Sequence, residues 1–195
     1  MNAALKFQRI SVEDYLAGEL ETDIKHEYLA GEVYAMAGGT NAHGQIATNI
    51  AGALVGRLRG KPCAPANSDV KIRIQTATHT RFYYPDASVI CEPNAPTDTF
   101  QDRPTVVFEV LSRATRRIDE GEKKDAYFTI PSLQAYVLVE QDSAAARVFR
   151  RTEEGFVCST YVDLEAVIPL EMIDIELPLA EIYDRVEFVP EPEDD

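Results

Sequence analysis

Val106-Val107-Phe108-Glu109-Val110-Leu111 is an apolar run broken by a single acid, bounded by Pro104 on one side and Ser112-Arg113 on the other. A short run of this kind, rich in β-branched and aromatic residues, reads as a strand buried on both faces. An ionised carboxylate in such a strand is costly unless a cation or several hydrogen-bond donors hold it. Asp86 stands 23 residues earlier, after Pro85, and Lys123 stands 14 residues later. Two acids and a lysine around one buried strand have the composition of a divalent-metal phosphodiesterase site.

The segments flanking this strand give the rest of the architecture. Ser11-Val12-Glu13-Asp14 resembles a capping box and predicts a short helix from about Val12 to Leu20. Apolar alternation on either side of Ala30-Gly31 predicts a β-hairpin. Thr40 or Asn41 can cap a long helix to about Arg59, with Ile46, Ile50, Leu54 and Leu58 spaced four apart and Gly60 at its stop. Asp69 to Ile74 alternates as a half-buried strand, and Phe82 to Cys91 reads as another. The segment from Ile118 to Thr129 looks helical, Pro131 breaks the chain, and Gln134 to Glu140 is again a strand. Ala146 to Arg151 and Phe156 to Val162 form a meander around the turn Glu153-Glu154-Gly155. Pro169 and Pro178 suggest an irregular closing segment. The expected class is α+β, a mixed central sheet flanked by helices with an additional antiparallel hairpin. One domain is expected over residues 1–186, followed by an acidic, flexible tail over 187–195.

Composition sets limits on function. With 195 residues, 45% of them hydrophobic, the chain can bury a substantial core. No stretch approaches the roughly 20 apolar residues that span a membrane, and the N-terminus lacks a signal-peptide core, so a cytoplasmic location is the expectation. Cys63, Cys91 and Cys158 lie far apart without a Cys-x-x-Cys pair, which predicts buried reduced thiols. The net charge of −14 argues against a broad nucleic-acid-binding face. Any DNA contact must be local, near Arg113, Arg116, Arg117, Lys123 and Lys124 or near Arg57, Arg59 and Lys61. On charge alone these clusters read as solvated faces balanced by Asp119, Glu120 and Glu122.

Pro85 lacks a backbone donor, so Asp86 sits where a ladder opens and a carboxylate can point into a cleft. With Glu109 on an adjacent strand, the two acids could bind Mg2+ or Mn2+ through oxygen. Asp119, Lys123 and Tyr127 recur every four residues and share one helical face. Lys123 could then orient water or offset charge on phosphoryl oxygens; the plainer alternative is a surface Asp119–Lys123 pair. His43, at the start of the long helix, could assist a bound phosphate or make a structural hydrogen bond. His26 and His79 read as surface residues, and Tyr127 and Tyr136 as core rings with satisfied hydroxyls.

Tyr84-Pro85-Asp86-x-Ser88-Val89, Phe108-Glu109-Val110-Leu111-Ser112-x-x-Thr115-Arg116 and Asp119-x-Gly121-Glu122-Lys123-x-x-x-Tyr127 occur in this order. Together with Glu27-Tyr28-Leu29-x-Gly31-Glu32, Ala42-His43, Ser68-Asp69-Val70 and Ile130-Pro131-Ser132-Leu133-x-x-Tyr136, they resemble the Uma-type endonuclease family. That family belongs to the PD-(D/E)XK, restriction-endonuclease-like superfamily, and the resemblance covers residues 10 to 150. It implies a metal-dependent nuclease with Asp86 and Glu109 as ligands and Lys123 as the catalytic lysine. In the superfamily's common pattern the lysine lies two residues after the second acid, where this chain has Leu111. The family pattern moves it to the following helix, where Lys123 stands. Glu27 would be the acid contributed by an N-terminal element, and Asp69 either a further ligand or a turn residue.

The leading expectation is a Mg2+-dependent (or Mn2+-dependent) endonuclease that hydrolyses DNA phosphodiester bonds as a homodimer. The alternatives are a nuclease fold that no longer cuts and binds a partner as a regulatory dimer, and a hydrolase of small phosphoesters. Burial should raise the pKa of Glu109 when no metal is bound.

Overall fold

The computed structural model describes residues 9–36 and 38–188. The first half runs α1 (Val12–Glu19), β1 (His26–Leu29), β2 (Glu32–Ala35), α2 (Asn41–Leu58), β3 (Ala64–Asn67), β4 (Lys71–Gln75), β5 (Thr80–Tyr83), β6 (Ala87–Ile90) and β7 (Phe100–Gln101). The second half runs β8 (Pro104–Leu111), α3 (Arg116–Asp119), α4 (Glu122–Phe128), β9 (Ala135–Glu140), β10 (Ala145–Thr152), β11 (Gly155–Val162), β12 (Val167–Leu170), β13 (Ile175–Pro178) and α5 (Leu179–Ile182).

The strands form a five-stranded sheet, β2-β1-β5-β4-β7, a six-stranded sheet, β11-β10-β9-β8-β6-β3, and the small hairpin β12-β13. This is an α+β fold with mixed sheets, since β8 pairs parallel to β9 but antiparallel to β6. The apolar run is the centre of the larger sheet, and period-2 alternation divides its side chains between two cores. Val106, Phe108 and Val110 join Ile46, Ile50 and Leu54 of α2 in one cluster. Val107 and Leu111 face the other way, onto Tyr83 of the smaller sheet and Tyr127 of α4. Glu109 shares that second face, between the two sheets. On the far side of the smaller sheet, Tyr15 of α1 packs on Tyr28 and Phe82.

The helix starts follow their caps. Ser11 Oγ accepts from Asp14 N at 3.0 Å, and Thr40 Oγ1 accepts from His43 N at 3.2 Å, so Thr40 is the cap of α2. Ile46, Ile50 and Leu54 are fully buried, as their spacing predicts.

Several expectations are corrected. The segment Phe82 to Cys91 is two strands in two sheets: β5 ends in the smaller sheet, Tyr84-Pro85-Asp86 crosses over, and β6 starts in the larger one. Proline cannot donate to a ladder, and here it marks the crossing. The helix expected over 118–129 is two short helices broken at Gly121, where a Cβ would lie 2.8 Å from the Arg117 carbonyl oxygen. The closing segment is regular, since β12 and β13 pair over four residues each. The cysteine reading also fails. Cys63 and Cys91 form a disulfide, because the β3–β6 register that pairs Ala64 with Ile90 sets them side by side at the ladder's end. Cys158 is free but exposed. His26 is also more than a surface group, its Nδ1 lying 2.8 Å from Glu19 Oε1.

Of the tail expected over 187–195, residues 189–195 lie outside the described residues, while Phe188 within it packs its ring 5.3 Å from Tyr183. Among the described residues, no helix is long and apolar enough to cross a membrane.

Candidate active site between the two sheets

Four elements bring acids to the space between the sheets. The β6–β8 register pairs Ala87 with Phe108, so one step further along that ladder Asp86 stands beside Glu109. Asp86 Oδ2 accepts from Val110 N at 2.7 Å, which anchors the carboxylate to the strand that carries Glu109. Glu27 comes from β1, where Tyr28 packs outward on α1 and the alternate positions turn inward. Asp119 ends α3, and Lys123 lies in the first turn of α4.

Lys123 is the hub. Its Nζ lies 2.9 Å from Glu109 Oε1, 3.2 Å from Glu27 Oε1 and 3.6 Å from Asp119 Oδ1, over the face of the Tyr83 ring. Glu109 and Asp119 are each only 3% exposed and Lys123 5%. The Asp119–Lys123 pair is therefore not the solvated surface contact that sequence alone allowed. Gly121 makes it possible: the helix break needs a residue without a side chain, and it lets both members turn inward.

The electrostatics follow from burial and charge count. Burial raises the Glu109 carboxyl well above the usual range; Lys123 offsets this only in part, while Asp119 and Asp86 add to it. Asp119 is raised by burial too, against the pull of Lys123 and a hydrogen bond from Thr115. Burial alone would lower the Lys123 amine, but Glu109, Glu27 and Asp119 outweigh it and hold the ammonium charged. One ammonium thus serves a cluster with excess negative charge.

His43 completes the edge of the site. Its Nε2 lies 2.8 Å from Asp86 Oδ1, and that bond is the main cause of its raised pKa. Gly39 leaves room for the ring, since a Cβ there would come within 2.8 Å of the imidazole. The contact with Asp86 is a hydrogen bond of the kind that one of the two roles open to His43 in the sequence requires. Tyr136 donates to the Asp119 carbonyl oxygen at 3.0 Å, as expected of a satisfied core hydroxyl. The buried Tyr127 hydroxyl has no partner among the described residues, against the same expectation.

Asp86, Glu109, Lys123, Glu27 and His43 thus meet in one place. Asp69 does not: it lies in the turn before β4, largely exposed, bound to Lys25 at 2.6 Å and to Asn67 at 3.0 Å. Asp119 is the member that sequence reasoning undervalued; its spacing of four from Lys123, with a glycine between, was the available signal.

Among the described residues, no group of three or more His, Cys, Asp or Glu side chains converges as a ready metal cage. The donor chemistry nevertheless fits a hard divalent cation: the acids offer oxygen only, and their negative charge exceeds what Lys123 neutralises. A cleft of about 560 Å³ opens at the end of β8, lined among others by Thr40, Ser112, Arg113, Arg116, Asp142 and Glu187; none of the clustered acids lines it. Arg116, on this rim, is paired with Glu140 and Glu120. Arg57 and Lys61 are likewise paired, with Glu181 and Asp174.

Similarity to known proteins gives the family of the chain. The chain is 36% identical over 150 residues to the Synechocystis sp. PCC 6803 protein slr1290, covering 76% of this chain and 78% of that one. It is 30% identical over 135 residues to sll1609 of the same organism, covering 68% and 75%. A crystal structure described as a putative nuclease of the DUF820 family, from Anabaena variabilis, shares the fold with a TM-score of 0.67 at 14% identity, over 86% of this chain and 96% of that one. The family described as "Putative restriction endonuclease", Uma2, matches residues 12–185, nearly the whole chain. This protein belongs to the Uma2 family.

Proposed function

We propose that the chain is a metal-dependent endonuclease that hydrolyses phosphodiester bonds in DNA and works as a homodimer. The observation that carries this reading is Lys123, buried and charged among Glu27, Glu109 and Asp119 beside the Asp86–His43 pair. A protein gains little stability from gathering three acids, two of them buried, around one buried lysine, because desolvation offsets the attraction. Perturbed acids of this kind cluster at functional sites.

Asp86 and Glu109 would hold Mg2+ or Mn2+, with Glu27 and Asp119 close enough to adjust the charge. The cation supplies stabilisation of phosphoryl charge and a more acidic water. The chain's own groups supply the rest. Val110 N and His43 Nε2 fix both oxygens of Asp86, so the carboxylate is oriented before substrate arrives. Lys123 offers a buried ammonium to the phosphoryl oxygens, where low dielectric strengthens it. The two sheets bury Glu109 and Lys123 almost completely, at 3% and 5% exposure. DNA contact is local, through the cleft at Ser112 and Arg113, in keeping with the net charge of −14.

The test is cleavage of single- and double-stranded DNA, RNA and small phosphoesters with Mg2+ or Mn2+, alongside Mn2+ titration by calorimetry. Activity and binding that Asp86→Ala and Glu109→Gln abolish support the reading. Cleavage that survives both substitutions removes this site from the chemistry. One observation favours a second reading, a non-cutting dimer: Arg116, on the rim of the cleft, is paired with Glu140 and Glu120 of the chain itself. That reading gains if the wild type neither binds Mn2+ nor cuts any substrate.

A further inference from the structure

The edges of the two large sheets are not alike. β2 is four residues long and begins with Glu32; β3 is four residues long, contains Pro65 and is tied down by the Cys63–Cys91 disulfide; β7 has two residues. Short length, proline and charge are the usual devices that keep an edge from pairing with another chain. β11 has none of them. It runs for eight residues, Gly155-Phe156-Val157-Cys158-Ser159-Thr160-Tyr161-Val162, without a charge or a proline. Its inner edge pairs with β10 along its whole length, and among the described residues no strand pairs with its outer edge. Val157 and Val162 are 57% and 56% exposed.

We propose that the outer edge of β11 pairs antiparallel with β11 of a second copy of this chain, joining the two six-stranded sheets across a two-fold axis. This deepens the dimer part of the proposed function; the test below reads assembly and not cleavage, so the two can fail separately. The occupant follows from charge and symmetry. A chain of net charge −14 repels its own copy over most of its surface, and this neutral strand is where two copies meet at least electrostatic cost. A two-fold axis perpendicular to a sheet keeps each side chain on its own face, so one residue of the strand must oppose itself. The strand's midpoint lies between Cys158 and Ser159, which leaves two central registers. In one, Cys158 faces Cys158 of the second copy, with Cβ atoms roughly 4.5–5.5 Å apart; in the other, Ser159 is self-paired and the two Cys158 are diagonal neighbours, roughly 7–8 Å apart. The turns that flank β11 are acidic, at Glu153-Glu154 and at Asp163, and antiparallel pairing brings opposite ends of the two strands together. Association therefore strengthens as salt screens the mutual repulsion of two chains of net charge −14, opposite to an interface built on ion pairs.

The experiment is sedimentation equilibrium of the full chain at low and high salt, with a short bis-maleimide as thiol cross-linker. The expected result is a dimer that tightens with salt and cross-links through Cys158, the cross-link being lost in Cys158→Ser. Val157→Lys places two ammonium groups in the new ladder and should weaken the dimer about tenfold or more. Since Val157 is more than half exposed, the variant should keep the wild-type circular dichroism; Thr160→Lys, on the opposite face of the strand, is the second variant should it not. A wild type that stays monomeric overturns the proposal. So does a dimer that both lysine variants leave unchanged, or one in which Cys158 does not cross-link.

Discussion

Replacing Lys123 by methionine separates the electrostatics of the site from its chemistry. Methionine keeps the length and the apolar stem but removes the ammonium that lies within 4 Å of Glu109, Glu27 and Asp119. Glu109 and Asp119, each 3% exposed, are left without their cation. Removing one member of a buried charge pair costs about 3–5 kcal/mol, a large part of the roughly 5–15 kcal/mol that holds a domain folded. The cost should depend on pH. Glu109 already has a folded-state pKa above the usual carboxylate value, and losing Lys123 removes the main influence pulling it down. A carboxyl whose pKa is raised on folding binds its proton more tightly in the native state. Stability then falls as pH rises above the unfolded value of about 4.3, and continues to fall until the raised folded value is passed. The variant should therefore lose most stability near neutral pH and above, and recover part of it in mild acid, where Glu109 takes up a proton. Urea unfolding followed by circular dichroism at the two pH values reads this directly. A second substitution, Glu109→Met in the Lys123→Met background, should restore stability by removing the stranded charge. A loss below about 1 kcal/mol that is the same at both pH values would refute the view that Lys123 is the counter-charge of a buried acid cluster.

Three further outcomes follow from the geometry. The His43 imidazole should titrate above its ordinary 6.5 because Asp86 holds it; in Asp86→Asn an NMR titration should show it return toward that value, and an unchanged titration would dissolve the pair. Its contribution to stability is fully present below about pH 6.5 and is lost as pH rises through the raised folded value. Reducing Cys63–Cys91 with a dithiol frees a loop of 28 residues, for which chain entropy gives about 3–4 kcal/mol; an unchanged urea midpoint would show that the link does not constrain the unfolded chain. Leu54→Ala, at a fully buried position of α2, should cost about 2–5 kcal/mol, and a loss well under that range would mean the helix face is not packed as described.

The local pattern of this chain determined much of its structure. The four-residue spacing of Ile46, Ile50, Leu54 and Leu58 and the threonine before it specify α2 almost to the residue, because helix period and cap chemistry are local properties. The single acid in an apolar run marked Glu109 as buried, since no other neighbour could make such a carboxylate tolerable. The order of Asp86, Glu109 and Lys123 carried the family resemblance. What sequence could not supply was which faces meet. Whether Asp119 and Lys123 form a solvated pair or a buried one depends on α4 lying beneath the smaller sheet, a contact between segments distant along the chain. The Cys63–Cys91 link needed the β3–β6 register, and the split of Phe82 to Cys91 needed the existence of two sheets. Asp69, equally acidic and equally well placed in a motif, falls on a solvent-facing turn instead. Sequence periodicity fixes which side of an element is apolar; only tertiary packing decides what that side, and the charged group set within it, will touch.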